Sequence, residues 1–131
     1  MSTSPFNVVS ETPVQEDRTA AILSYITIIG FIVAIIIHSG KKTALGAFHL
    51  RQVLGLIVIG FGVGIAVAIS AFILAFIPII GPLLILLLWG GLWVGGFLLV
   101  LIGLIAAIQG KLTPVPVIGV QIQKWFANTF T

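Results

Sequence analysis

The segment between Arg51 and Lys111 most constrains what this chain can fold into, because it contains no Asp, Glu, Lys, Arg or His. Charged residues make up 7 % of the whole chain and hydrophobic residues 60 %, and the mean hydropathy is +1.30. An ordinary soluble domain has about 25 % charged residues. Too little polar surface remains to cover a water-soluble domain, so the composition predicts an all-α integral membrane protein.

Three apolar runs predict three transmembrane helices. We expect these spans at about residues 20–37, 53–77 and 83–108. At ~1.5 Å per residue, the shortest run reaches about 27 Å, close to the ~30 Å hydrocarbon core of a bilayer. Pro78, Gly81 and Pro82 predict a tight turn between the second and third spans. An alternative with four spans needs a break near residues 60–64, and its two halves would be short for crossing.

The segments on either side of residues 19–110, the predicted transmembrane domain, differ from it and from each other. Residues 1–18 contain all three acidic side chains together with Ser, Thr and Pro, and we expect them to be disordered. In residues 111–131, apolar residues recur at three- and four-residue spacing; they are Ile118, Ile122, Trp125, Phe126 and Phe130. This pattern is typical of a short helix lying in the membrane interface. The alternative is a frayed tail with a few apolar residues.

The basic residues predict the orientation in the membrane. With three spans, five of the six lie on one side: Lys41, Lys42, Arg51, Lys111 and Lys124. Arg18 is alone on the other side. The positive-inside rule therefore predicts an inner (plasma) membrane protein with its N-terminus outside and its C-terminus in the cytoplasm.

Residues 48–52, with the sequence FHLRQ, place polar side chains where the second helix enters the membrane. An arginine at this depth can extend to the surface, and the simplest interpretation is an anchor to anionic lipid headgroups. The alternative is a polar face that contacts a partner protein or a lipid. Its members would be Phe48, His49, Arg51, Gln52, His38, Gln109 and Lys111.

Small residues four positions apart form a second pattern. Gly60 and Gly64 lie in the second span, and Gly91 and Gly95 lie in the third. Such spacing lets helices approach closely in lipid. We expect the second span to pack on the third through these glycines; the alternative is a homodimer or a larger assembly.

The sequence contains no set of residues suited to catalysis. It has no cysteine, and its acidic residues all precede Arg18. His38 and His49 are not at a spacing typical of metal ligands, and no ionisable group lies within the spans to relay protons. The six basic residues form no stripe for nucleic acid. We therefore expect no enzyme activity, no metal, no cofactor and no nucleic-acid partner.

Four short stretches show a family resemblance. They are AILSYITIIGFIVAII in the first span, FHLRQ, IPIIG, and AAIQGKLTPVPVIG after the third span. Together they resemble the small bacterial membrane proteins related to the Tic20-type subunit, a channel component of the chloroplast inner-envelope import translocon. The resemblance covers about residues 20–120, and its most specific parts are Phe48-His49-x-Arg51-Gln52 and the segment from Gly110 to Gly119.

This resemblance implies a helical membrane fold and a role near protein translocation or membrane assembly. The expected function is that of a non-enzymatic subunit or accessory of such a system. Two alternatives remain: a homo-oligomeric pore, and a small structural membrane protein that responds to lipid.

Overall fold

The computed structural model describes residues 17–130, and all regular secondary structure in that part of the chain is helical. The helices are α1 (Thr19–Leu23), α2 (Ile28–Gly40), α3 (Ala44–Leu74), α4 (Ile80–Gln109) and α5 (Gly119–Trp125). The predicted all-α class is confirmed. Most of the predicted disordered tail lies outside the described residues, so that interpretation stays a prediction.

Within residues 17–130, two helices are long and apolar enough to cross a membrane. α3 has 31 residues and α4 has 30, which correspond to about 47 and 45 Å at the helical rise. They contain the predicted second and third spans almost entirely, and α3 begins early enough to include the FHLRQ stretch. Their length and composition are compatible with a membrane location.

The first apolar run is not one helix. α1 ends at Leu23 and α2 begins at Ile28. Between them, Thr27 is extended, with φ −155° and ψ 174°, and its hydroxyl accepts the Gly30 N–H at 3.0 Å. This cap starts a new helix. The 13 residues of α2 reach only about 20 Å, less than the hydrocarbon thickness. A single span over residues 20–37, and with it the three-span arrangement, is therefore not confirmed.

The chain divides into two compact units. The first contains Met1–Gly55 and Leu99–Thr131, and the second contains Leu56–Leu98. In the described part of the first unit, one apolar cluster joins α1, α2, the start of α3 and the end of α4. Its buried members are Ala20, Ala21, Tyr25, Phe31, Ala34, Leu45, Phe48, Leu50, Val53, Ala107 and Leu112.

The second unit has a different surface. Most of its large apolar side chains are exposed, including Phe61, Phe72 and Trp93. Soluble monomers rarely present so large a contiguous apolar surface to water. The surface of this unit therefore agrees with a location in lipid.

The four glycines predicted to mediate helix packing also belong to the second unit. A Cβ atom built on Gly60, Gly64, Gly91 or Gly95 meets no described atom within 4 Å outside its own helix backbone. The expected close packing of one span on the other through these glycines is thus not observed, because each faces open space. Association between copies through the same faces stays a prediction.

Candidate functional site

Three polar side chains meet in the interior of the first unit. Gln52 and His49 are fully buried, and Tyr25 is nearly so. Gln52 Nε2 donates to the Tyr25 hydroxyl oxygen, and the same oxygen lies 2.7 Å from His49 Nδ1. Because His49 and Gln52 are three residues apart on α3, both can reach the same partner. This arrangement leaves the Tyr25 hydroxyl hydrogen to be donated to His49 Nδ1, which assigns the imidazole proton to Nε2.

The far sides of His49 and Gln52 bind the segment that follows α4. His49 Nε2 donates to the Lys111 carbonyl at 2.9 Å, in agreement with the tautomer deduced from Tyr25. The Val115 N–H donates to Gln52 Oε1 at 2.8 Å. Both contacts are with main-chain atoms, so they do not depend on the side chains at positions 111 and 115.

Two further side chains hold the end of the chain in the same manner. Arg51 Nε donates to the Thr129 carbonyl at 2.9 Å. His38 Nε2 lies 2.6 Å from the Phe130 carbonyl, which can only accept a hydrogen bond, so this nitrogen of His38 carries a proton. The Phe130 ring stands edge-on to His38 and Phe31, with centroids 6.4 and 6.3 Å away. The last described residues are therefore fixed to α2 and α3.

Helix α5 lies in the chain between the contacts at Lys111 and Val115 and those at Thr129 and Phe130, and it packs on α3. Ile122 is fully buried, and a Cβ atom built on Gly55 would overlap its side chain. Gln123 Nε2 donates to the Phe48 carbonyl at 2.8 Å. The buried face of α5 thus fits a notch that only glycine at position 55 leaves open.

These contacts share one property. We call residues 111–130 the C-terminal segment, and we call the side chains of His38, His49, Arg51 and Gln52 the clamp. Each clamp side chain binds a main-chain atom of the C-terminal segment. Irregular backbone near a membrane needs internal partners for its N–H and C=O groups. The clamp supplies them, and its chemistry suits any polypeptide backbone.

The structure brings together most of the predicted polar face, but turns it inward. Phe48, His49, Arg51, Gln52 and His38 are all buried. Lys111 takes part through its carbonyl, and Gln109 is exposed and makes no contact with the clamp among the described hydrogen bonds. Contact of this face with a partner or with lipid headgroups stays a prediction.

Sequence reasoning missed three polar residues of the site. Tyr25 joins His49 to Gln52, Gln123 links α5 to α3, and Arg18 Nη1 donates to the Ile108 carbonyl at 2.8 Å. The available signal was that Tyr25 is the chain's one tyrosine and lies in an apolar run. A buried tyrosine hydroxyl usually finds a hydrogen-bond partner.

Within residues 17–130, no group of three or more His, Cys, Asp or Glu side chains could hold a metal ion. Comparison with models of protein families, with curated proteins and with solved structures finds no match to this chain. The Tic20-like relationship therefore stays a prediction.

Replacing Arg51 with methionine should loosen the end of the C-terminal segment without unfolding the first unit. The Thr129 carbonyl loses a charged donor, a contact that contributes about 1.5–3 kcal/mol. We expect amide hydrogen exchange at residues 126–130 to rise by at least about tenfold. Hydrogen exchange read by mass spectrometry measures this, with Lys41→Met, at an exposed basic residue, as the control. Equal exchange in both variants would contradict the role given to Arg51.

Proposed function

We propose that this chain is a multi-pass inner-membrane protein of the Tic20-like class, acting as a non-enzymatic subunit or accessory of a membrane protein assembly or translocation system. Two observations support this. The first is the set of sequence stretches that resemble that class. The second, which carries the proposal, is that every hydrogen bond from the clamp to the C-terminal segment goes to a main-chain atom.

Main-chain recognition is what a protein that handles many different segments requires. Backbone groups are common to all polypeptides, and hydrogen bonds to them provide affinity without a sequence requirement. In the state described here, the C-terminal segment fills the clamp. A partner segment would replace it only if that segment binds the clamp better than residues 111–130 do.

The proposed topology has α3 and α4 as the two crossings. Arg18, just before α1, donates to the Ile108 carbonyl, and His49 near the start of α3 binds the Lys111 carbonyl, so the start of α1, the start of α3 and the end of α4 lie together. Since α2 leads directly into α3, this supports placing both ends of the α1–α2 pair on one side of the membrane, in place of the predicted third crossing.

Broken backbone at membrane depth is tolerated where protein covers it, and Ser24 and Tyr25, which lie at the break, are buried. Ile28, Ile29 and Ile32 of α2 are exposed and would face lipid. Two crossings would place both chain ends and all six basic residues, including Arg18, on one side of the membrane. The positive-inside rule makes that side the cytoplasm, near anionic headgroups, in place of the predicted outside N-terminus.

Photo-crosslinking in intact cells tests the proposed function. The probe belongs at Gln121, which is exposed on α5, because Gln52 is fully buried. A matched probe at Trp93, exposed on α4, is the control. We expect Gln121, but not Trp93, to capture a protein that mass spectrometry identifies as an insertion or translocation component. Adducts with lipid or with a second copy alone would contradict the proposal.

The homo-oligomeric pore is the second candidate. It is favoured by the open space beside Gly60, Gly64, Gly91 and Gly95, which leaves room for a helix of another copy. If this candidate is correct, Gly64→Ile or Gly95→Ile should abolish both the oligomer and the conductance in reconstituted bilayers. A wild-type protein that is strictly monomeric and does not conduct would exclude it.

A further inference from the structure

One backbone motif occurs twice in the part of the chain that the structure describes. Residues 77–81 read IPIIG and residues 115–119 read VPVIG, and we call each a proline–glycine turn. In both, the residue after proline has a positive φ, 68° at Ile79 and 74° at Val117. In both, the next N–H donates to the proline carbonyl, at 2.8 and 2.9 Å, and the glycine N–H donates to the carbonyl before the proline at 3.1 Å.

The glycine that closes each turn is required by space. A Cβ atom on Gly81 would overlap the Leu74 carbonyl, and a Cβ atom on Gly119 would lie 2.7 Å from Pro114 Cβ. A helix begins at or next to the glycine in each case, α4 at Ile80 and α5 at Gly119. The same local sequence therefore builds the same turn at two independent sites.

The apex of each turn has two unfavourable features: a strained backbone and, in water, an exposed apolar side chain. A β-branched residue at positive φ is a genuine outlier, and such strain costs on the order of 1–3 kcal/mol. Among the large hydrophobic residues that the structure describes, the apex side chains are also the most exposed, 86 % for Ile79 and 98 % for Val117. Exposing these apolar side chains to water is unfavourable, whereas exposing them to lipid is not.

The main chain of both turns is suited to an environment without water. The prolines present no N–H group. The two N–H groups that follow each apex, at Ile80 and Gly81 and at Ile118 and Gly119, are bonded within the turns, and in the second turn Val115 donates to Gln52. Hydrocarbon demands this internal pairing of backbone groups. It also leaves few polar groups that a protein partner could recognise by hydrogen bonding.

The surrounding sequence favours lipid as the occupant. No side chain from Ala71 to Leu88 is polar, so nothing beside the first turn would hold it in water. The second turn lies between Lys111 and Lys124, with exposed Val120 and Trp125 nearby in the chain, and no acidic residue follows Asp17. Basic residues beside exposed apolar ones fit an anionic bilayer surface.

We propose that both proline–glycine turns are lipid-insertion points, with the side chains of Ile79 and Val117 placed among the acyl chains. The positive φ at each apex directs a branched apolar side chain away from the protein. The hydrogen bonds within each turn pair the two N–H groups that follow the apex, which lowers the cost of bringing this backbone close to lipid.

Site-directed spin labelling tests this cleanly, because the chain has no cysteine. Ile79→Cys, Val117→Cys and the reference Lys41→Cys are each labelled and reconstituted into vesicles of phosphatidylethanolamine and phosphatidylglycerol. Cysteine is not β-branched, so it strains the apex less than the native residue. We expect the ratio of oxygen to nickel-chelate collision rates to be several-fold higher at positions 79 and 117 than at 41.

Two other outcomes would overturn the proposal. Nickel-chelate access equal to that at position 41 would place an apex in water. Access to neither reagent would mean that protein, not lipid, covers it.

A second measurement labels Val120→Cys with and without Val117→Asn, since asparagine tolerates positive φ. We expect the Val120 label to move toward water when the apolar apex is lost, and an unchanged depth would contradict an anchoring role.

Discussion

Replacing Gln52 with leucine should lower the free energy of unfolding by about 2–4 kcal/mol. Gln52 is fully buried, donates to Tyr25 and accepts from Val115. Leucine has a similar volume, so packing changes little. It leaves the Val115 N–H without an acceptor and the Tyr25 oxygen without a donor, and each buried unpaired group costs about 1–3 kcal/mol.

Equilibrium unfolding in mixed detergent micelles measures this loss, and Gln109→Leu is the matched control. Gln109 is exposed at the end of α4, so the same chemical change should alter its unfolding by less than about 0.5 kcal/mol. If the two variants unfold alike, Gln52 does not bridge Tyr25 and the C-terminal segment.

Replacing Gly55 with alanine should also destabilise the protein, by about 1–3 kcal/mol. The new methyl group would overlap the Cβ and both γ-carbons of Ile122. Ile122 is fully buried and branched next to its backbone, so it cannot turn aside as a long flexible side chain would. We expect α5 to separate from α3 and the C-terminal segment to become accessible to protease.

The control for this substitution has the opposite expected sign. Gly60→Ala is on the same helix, and its methyl group would meet no described atom within 4 Å. Alanine favours a helix over glycine by up to about 1 kcal/mol, so stability should rise slightly. A loss of stability in both variants would show that α3 tolerates alanine poorly in general and that Ile122 is not the cause.

Much of the helical architecture could be predicted because it depends on local composition. The uncharged run of residues 52–110 covers most of α3 and all of α4, and Pro78 marks the turn between them, so these helices could be placed from the sequence. The break between α1 and α2 could not be read from hydropathy, since Thr27 lies in a run of isoleucines and acts through one hydrogen bond to Gly30. The Thr27 cap, a polar contact of a few atoms, therefore divides an apolar run that hydropathy alone predicts to be one helix.

The clamp illustrates a second limit of sequence reasoning. The FHLRQ stretch was recognisable as polar residues at a membrane boundary. Its partners, however, lie some 60 to 80 residues away along the chain, and they are main-chain atoms that have no sequence signature. Spacing on α3 therefore predicted that His49 and Gln52 share a face, but not that this face points into the protein.

The same reasoning explains the outcome at the glycines. Small residues at four-residue spacing permit close helix approach but do not require it. Gly55 and Gly103 do admit a neighbour, Ile122 and Tyr25 respectively, whereas Gly60 and Gly64 admit none among the described residues. Position in the fold, rather than spacing along the helix, determines which glycines have a neighbouring side chain packed against them.

Disulfide trapping in native membranes tests most directly whether the C-terminal segment is held on α3. The double variant Gly55→Cys with Ile122→Cys places two thiols where the Cβ atoms would lie 2.9 Å apart before relaxation, near the ~3.5–4.5 Å range of disulfides. The chain's lack of other cysteines excludes side reactions within it. We expect rapid intramolecular oxidation of this pair and none of Gly60→Cys with Ile122→Cys. Failure of the first pair to oxidise, or equal oxidation of both, would contradict the docking of the C-terminal segment on α3.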